Sequence, residues 1–278
     1  MNKEEALNFL KQKKFNSNYK HWSNLIKKLK DEKIANDTVK IKFLLECISK
    51  YFIYDKNFEI NNFDKITTAW NDYLSFIREN NKHSGKPIFT SQSKFEPTIL
   101  EESIFRMFLD QENDIIKIGG IQAYSNIYFS NRNFNDFKDN TIFKFNTKDQ
   151  DFAIYKEVDV NIDGKKEKIS VPIIAMECKT YLDKTMLEGS IATAEKIKNG
   201  NPYCRFCIVT EYYQVDLNVD IKSTRIDQIY VLRKCKNKDS NNSIMKDVLE
   251  LLYSDTKDYL NDSWSNIEEN ILKHGIVL

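Results

Sequence analysis

The chain has 278 residues, 41% of them hydrophobic and 30% charged, with 42 basic against 41 acidic side chains. This balance excludes a disordered or collagen-like chain, and it does not advertise nucleic-acid binding through net charge. Only 7 glycines and 4 prolines leave little material for linkers, so any second domain is expected to pack tightly against the first. No run of about 18 uncharged apolar residues occurs, and Met1-Asn2-Lys3-Glu4-Glu5 is followed by no apolar signal core. Neither a membrane span nor a secretory peptide is therefore expected, and the expected location is the cytoplasm.

From residue 1 to about 110 apolar residues recur at three and four, as in Trp22, Leu25, Ile26 and Leu29, then Ile41, Phe43, Leu44, Ile48 and Phe52, then Ile66, Trp70, Tyr73, Leu74 and Ile77. The spacing predicts helices. Residues Asn80 to Pro87 read as a loop, and Pro97 opens a further helix carrying Ile99, Leu100, Ile104, Met107 and Phe108. The pattern then turns to short β-rich runs at Ile115–Ile118, Phe152–Ile162, Ile169–Lys179, Tyr203–Thr210 and Ile226–Leu232, with a helix at Lys184–Lys198. Helical spacing returns from Ile244 to Leu260. The expected architecture is α/β: a helical region over 1–90, then a core over 91–278 in which a mixed β-sheet is flanked by helices and closed by a C-terminal helix.

Five cysteines at 47, 178, 204, 207 and 235 fit reduced thiols better than a disulfide framework. Cys204 and Cys207 have metal-ligand spacing, but they lie at the start of a strand, where residues three apart face opposite ways, so buried core thiols are the expectation. Charge is uneven: residues 1–33 hold nine lysines against four acids. Two readings stand, a phosphate-facing patch or the solvated face of helices.

The run Val171-Pro172-Ile173-Ile174-Ala175-Met176 ends in Glu177-Cys178-Lys179. Period-two alternation puts Glu177 and Lys179 on one face with Ile173 and Ala175. Charges at the end of a buried strand call for a partner, a metal or a substrate, because an unpaired buried ion costs several kcal/mol. Asp163-Gly164 signals a hairpin pairing this strand with the preceding one. A two-residue turn sets Asp151 opposite Met176, on the wrong face; a three-residue loop sets it opposite Ala175 and diagonal to Glu177, and a bulge at Pro172 is a further means of correcting the register. Cross-strand neighbours lie roughly 4.5–5.5 Å apart, close enough for two carboxylates to share a divalent ion. Two hard carboxylates suit Mg²⁺, which can activate water and stabilise charge on phosphorus, and a neighbouring lysine can orient that water. The three histidines, His21, His83 and His274, sit beside no evident catalytic partner. The blander account is a carboxylate–lysine salt-bridge network at a sheet edge.

Asp151, a hairpin, then Glu177-Cys178-Lys179 resembles the PD-(D/E)XK nuclease signature, with Gln150 where that name has proline. The stretch Ile174 to Gly189, together with Lys148–Ile154 and Pro97–Glu102, resembles type II restriction endonucleases of the DdeI and BbvCI kind, which cut at CTNAG-like sites. The resemblance covers about residues 95–215. It implies a PD-(D/E)XK core, Asp151 and Glu177 as Mg²⁺ ligands with the Cys178 carbonyl as a further one, and Lys179 positioning the attacking water. It also implies a glutamate from a preceding helix near the ion. The helical wheel sets Glu101 nearer the apolar centre than Glu102, so Glu101 is the expected one, against a solvent-facing first turn. Thr180, Asp183 and Lys184 are candidates for phosphate contact, with helix capping the alternative for Asp183. The Asn-rich segments Ser125-Asn126, Ser130–Asn133 and Lys236–Asn242 are candidate base readers or solvated loops. The implied partner is double-stranded DNA, cut by a homodimer or by a heterodimer with a related subunit. Two alternatives stay open, a nicking or repair nuclease on the same fold and a non-catalytic DNA- or partner-binding protein.

Overall fold

The computed structural model describes residues 16, 18–90, 93–130, 135, 138, 143–162, 164–236, 242–261 and 272–273. Among the described residues, helices α1 (Lys20–Lys30), α2 (Glu32–Ala35), α3 (Thr38–Asn57) and α4 (Phe63–Asn80) come first. Their starts follow local chemistry: the Asp37 carboxylate accepts from the N–H groups of Val39 and Lys40 at 3.1 and 3.0 Å, and Asn62 accepts from Lys65 at 3.2 Å. The segment expected as a loop folds into a small hairpin, β1 (Lys82–His83) against β2 (Lys86–Pro87). Its two-residue turn takes positive φ at Ser84 and Gly85, +50° and +76°, the conformation a tight hairpin turn requires. Helix α5 (Pro97–Met107) follows, with proline in its first turn.

The main sheet runs β3 (Lys117–Phe129), β4 (Phe143–Ile162), β5 (Lys165–Lys179), β6 (Arg205–Thr210) and β7 (Gln228–Val231), side by side in that order. The first two junctions are antiparallel and the last two parallel, so the sheet is mixed. Helix α6 (Lys184–Gly200) makes the crossover from β5 to its parallel neighbour β6, and α7 (Lys246–Asn261) follows β7. β3 and β4 are longer than the sequence suggests. Ser125 and Asn126, expected in a loop, lie in β3, where the Ser125 hydroxyl donates to the Lys196 carbonyl at 2.9 Å. Gly200, at the end of α6, has no Cβ because one would stand 2.3 Å from the Ser125 carbonyl oxygen, so helix and sheet meet there backbone to backbone.

Two apolar cores sandwich the sheet. One is continuous from Trp22 to Tyr253 and joins α1, α3, α4, α5 and α7 to the inner side chains of β4 and β5, including Phe152, Ile154, Ile174 and Met176. The other lies under α6 and holds Ala123, Ala175, Leu187, Ala194, Phe206 and Ile208. Cys207 belongs to the first and Cys204 to the second, so the two thiols lie on opposite faces of the sheet. Among the described residues no helix is long and apolar enough to cross a membrane.

Candidate active site

The register of the β4–β5 hairpin decides where Asp151 falls. Ile162 pairs with Lys165, leaving a two-residue turn, and pairing runs regularly to Tyr155 opposite Pro172. That register alone would set Asp151 opposite Met176. A bulge then inserts Ile173, so Ile154 pairs with Ile174 and Phe152 with Met176, and one step further brings Asp151 to Glu177. The bulge also reverses the facing of Ile173: it packs into the first core, while Ala175 belongs to the second. The expectation that Ile173 shares a face with Ala175 is therefore corrected.

On the β3 side Asp151 meets a second irregularity. Gly119 pairs with Ala153 and Ile121 with Gln150, so Asp151 and Phe152 together face Gly120. Set between two bulges, Asp151 turns its carboxylate to β5, where Oδ2 accepts from the Cys178 main-chain N–H at 2.9 Å. In an extended strand the N–H and C=O of one residue point the same way, so the Cys178 carbonyl faces this side as well. Its thiol is buried in the first core, and burial among apolar atoms beside Asp151 pushes it well above the usual thiol range.

Lys179 links the two carboxylates. Its Nζ stands 2.5 Å from Glu177 Oε2 and 3.9 Å from Asp151 Oδ2. Burial pulls the Lys179 pKa down, but Glu177 and Asp151 more than offset it, so the net shift is upward and the group is an ammonium at neutral pH. The strand end is anchored from its other side. The Glu211 N–H donates to the Lys179 carbonyl at 3.2 Å, and the buried Glu211 carboxylate accepts from Arg78 of α4 at 2.8 Å and from Arg233 at 2.7 Å.

Of the two adjacent glutamates on α5, Glu101 reaches the same centre. Its Oε2 meets Lys20 Nζ at 2.6 Å, and that ammonium also donates to the Asp151 main-chain carbonyl at 2.7 Å. Burial raises the Glu101 pKa; Lys20 opposes the rise and Asp151 adds to it, which registers the two acids as neighbours. Glu102 turns the other way and is only 1% exposed. It accepts from the Trp22 N–H at 2.9 Å and the Tyr51 hydroxyl at 2.5 Å, with Arg106 at 3.8 Å. The burial of the pair is thus the reverse of the helical-wheel expectation: the Tyr51 hydroxyl and the Trp22 main chain from other helices, with Arg106 one turn along α5, take Glu102 into the core, which hydropathy spacing does not register.

An open cavity of about 840 Å³ leads outward from Asp151 and Glu101, and Lys20, Lys27, Lys28 and Lys94 line it. Asp183 caps α6 by accepting from the Met186 N–H at 2.8 Å, and Lys184 pairs with Glu188 at 4.0 Å. His21 is locked in the core between Thr98 and Tyr73 at 3.0 and 2.8 Å. The candidate readers 131–133 and 237–241, like Lys3, Lys11, Lys13 and Lys14, lie outside the described residues. Lys20 and Gly120 are the participants that sequence reasoning missed. Lys20 was one of nine N-terminal lysines with nothing to single it out, and Gly120 matters only because of what passes it. Among the described residues no three histidine, cysteine, aspartate or glutamate side chains form a metal cluster, so an ion here would draw ligands from main chain, water and substrate as well.

Known proteins can be set beside this geometry. The structure described as the native BbvCI A2B2 tetramer at low resolution superimposes with a TM-score of 0.69 at 22% identity, covering 89% of this chain and 97% of that one. The likeness establishes the restriction-endonuclease-like α/β fold. No curated protein matches the chain. The model of the Bpu10I restriction endonuclease family matches residues 92–250, which include α5, the whole sheet and every residue of the centre except Lys20. More than half of the chain is matched, so the chain belongs to the Bpu10I restriction endonuclease family and is a type II restriction endonuclease, a site-specific deoxyribonuclease that binds DNA.

Proposed function

We propose that this enzyme makes Mg²⁺-dependent double-strand cuts at a short CTNAG-like site, leaving 5′-phosphate and 3′-hydroxyl ends. The observation that carries the proposal is the single Lys179 ammonium touching two carboxylates on adjacent strands, Asp151 and Glu177. Restriction endonucleases generally use divalent metal ions, and this donor set fits a hard one: two carboxylates, with the Cys178 carbonyl facing the same side. Glu101 of α5 is joined to the Asp151 main chain through Lys20 and adds a third acid beside the pair. When bound, Mg²⁺ would supply an acidified water and offset the charge gathering on phosphorus. Lys179, held as an ammonium, donates hydrogen bonds that aim the attacking water at phosphorus. The water oxygen bonds to phosphorus as the P–O3′ bond breaks, the proton the water gives up passing to solvent and the leaving 3′ oxygen taking one from solvent to become the hydroxyl.

The same proposal divides the labour along the chain, with the helical residues 1–90 gripping backbone and 91–278 performing the cut in the cytoplasm. Lys27 and Lys28 along the cavity are the cations for that grip, and Lys94 of the core segment adds a third on the same cavity. Cutting both strands takes two centres, so a dimer on DNA is part of the reading, of two copies or of this chain with a related subunit. The A2B2 description of the BbvCI structure favours the second arrangement. Titration of the protein with Mn²⁺ tests the metal assignment: Glu177→Ala is expected to abolish divalent binding, and unchanged binding would refute it.

A further inference from the structure

We propose that Lys20 is a positioning residue of the active centre, reaching in from the N-terminal helical region to hold the Glu101 carboxylate against the Asp151 main chain. The inference rests on the proposed reading of Asp151 and Glu177 as the ion-binding pair, with Glu101 beside them. Three independent observations carry it. The ammonium makes two short contacts at once, 2.6 Å to Glu101 Oε2 and 2.7 Å to the Asp151 carbonyl, and so ties α5 to β4 at the point where the centre is built. The passage is shaped for it: a Cβ on Gly120 would stand 3.0 Å from both Cε and Nζ of Lys20 and 3.2 Å from that carbonyl oxygen. Finally, the first turn of α1 is bolted to α5, the Trp22 N–H donating to Glu102 and the His21 ring bonding Thr98, so the lysine stem starts from a fixed base.

Lys20 then does on the Glu101 side what Lys179 does on the Glu177 side, each ammonium joining a glutamate to Asp151. It differs in using the main chain of Asp151 rather than its carboxylate. Loss of it removes the contact that holds the Glu101 carboxylate beside Asp151. It also links the helix whose Lys27 lines the cavity to the group that handles the ion.

The sign of one measurement separates this role from simple electrostatics. Removing a cation leaves the centre more negative, which by charge alone tightens binding of a divalent ion. Losing an orienting contact loosens it, typically by roughly 10- to 100-fold. Mn²⁺ binding should therefore be measured by calorimetry on the full chain for wild type, Lys20→Met, Glu101→Gln and the double variant, with thermal unfolding to verify folding. The expected result is a 10- to 100-fold weaker Kd for Lys20→Met and no further loss when it is added to Glu101→Gln. Gly120→Ala, which changes no charge and crowds Lys20, is expected to loosen binding to a lesser degree, and it decides the matter if Lys20→Met does not fold. Unchanged or tighter binding in Lys20→Met, or an equal loss in the Glu101→Gln background, would overturn the inference. Intact Mn²⁺ binding in both Asp151→Asn and Glu177→Gln would instead bring down the reading of the site on which it rests.

Discussion

The main-chain N–H of Cys178 donates to Asp151 Oδ2 at 2.9 Å, so the strand that carries Glu177 and Lys179 fixes the one carboxylate the other strand contributes. An asparagine at 151 can offer the same acceptor without the charge. Asp151→Asn is therefore expected to fold with little change in Tm and to lose at least about 100-fold in cleavage rate, because the term removed acts on the charged transition state. Melting curves and a time course on cognate DNA check both halves of the statement.

Adjacent glutamates on α5 should give opposite phenotypes. Glu102→Ala leaves the Trp22 N–H, the Tyr51 hydroxyl and the Arg106 guanidinium facing a void, and is expected to cost about 3–5 kcal/mol of stability. Glu101→Gln is expected to keep near wild-type stability and lose cleavage. Urea unfolding and cleavage assays on the two variants would show this crossing.

Much of this was legible in the sequence because it is local. A Glu-x-Lys after an apolar strand, an Asp-Gly turn and an aspartate before it are set by period two and turn chemistry, and α1, α3, α4, α5, α6 and α7 follow from apolar spacing and caps. What was illegible depends on distant approach. The bulge at Ile173 that brings Asp151 to Glu177 was signalled by its neighbour Pro172, but nothing local chose it over a longer hairpin loop. The glycine pair 119–120 sits inside β3, where glycine ordinarily weakens a strand, so the run past Ile118 did not read as β. Glu102 and Lys20 owe their places to partners 51 to 131 residues away.

Stability should fall with acid through His21. Burial holds its pKa down at about 3 against the ordinary 6.5, and the nearby Lys28 acts in the same direction. A depressed folded pKa means that the unfolded chain takes up the proton first. The stabilisation is thus fully present above pH 6.5 and is lost as pH falls from there toward 3, at up to about 1.4 kcal/mol per pH unit. Comparing urea unfolding of wild type and His21→Gln at pH 7 and pH 5.5 checks it: the variant is weaker at pH 7 and should have the flatter profile.

Lysines along the cavity should act on affinity without touching sequence preference. Lys27→Ala and Lys94→Ala are each expected to weaken binding uniformly across sites and to lower the slope of log K against log salt by about one. Binding measured in Ca²⁺ at several salt concentrations tests this.

The most direct test of the central claim is digestion of unmethylated phage DNA by the purified enzyme in Mg²⁺ or in EDTA, beside Lys179→Ala. The account predicts discrete Mg²⁺-dependent bands that the variant does not make; the same bands from Lys179→Ala, or from wild type in EDTA, would contradict it.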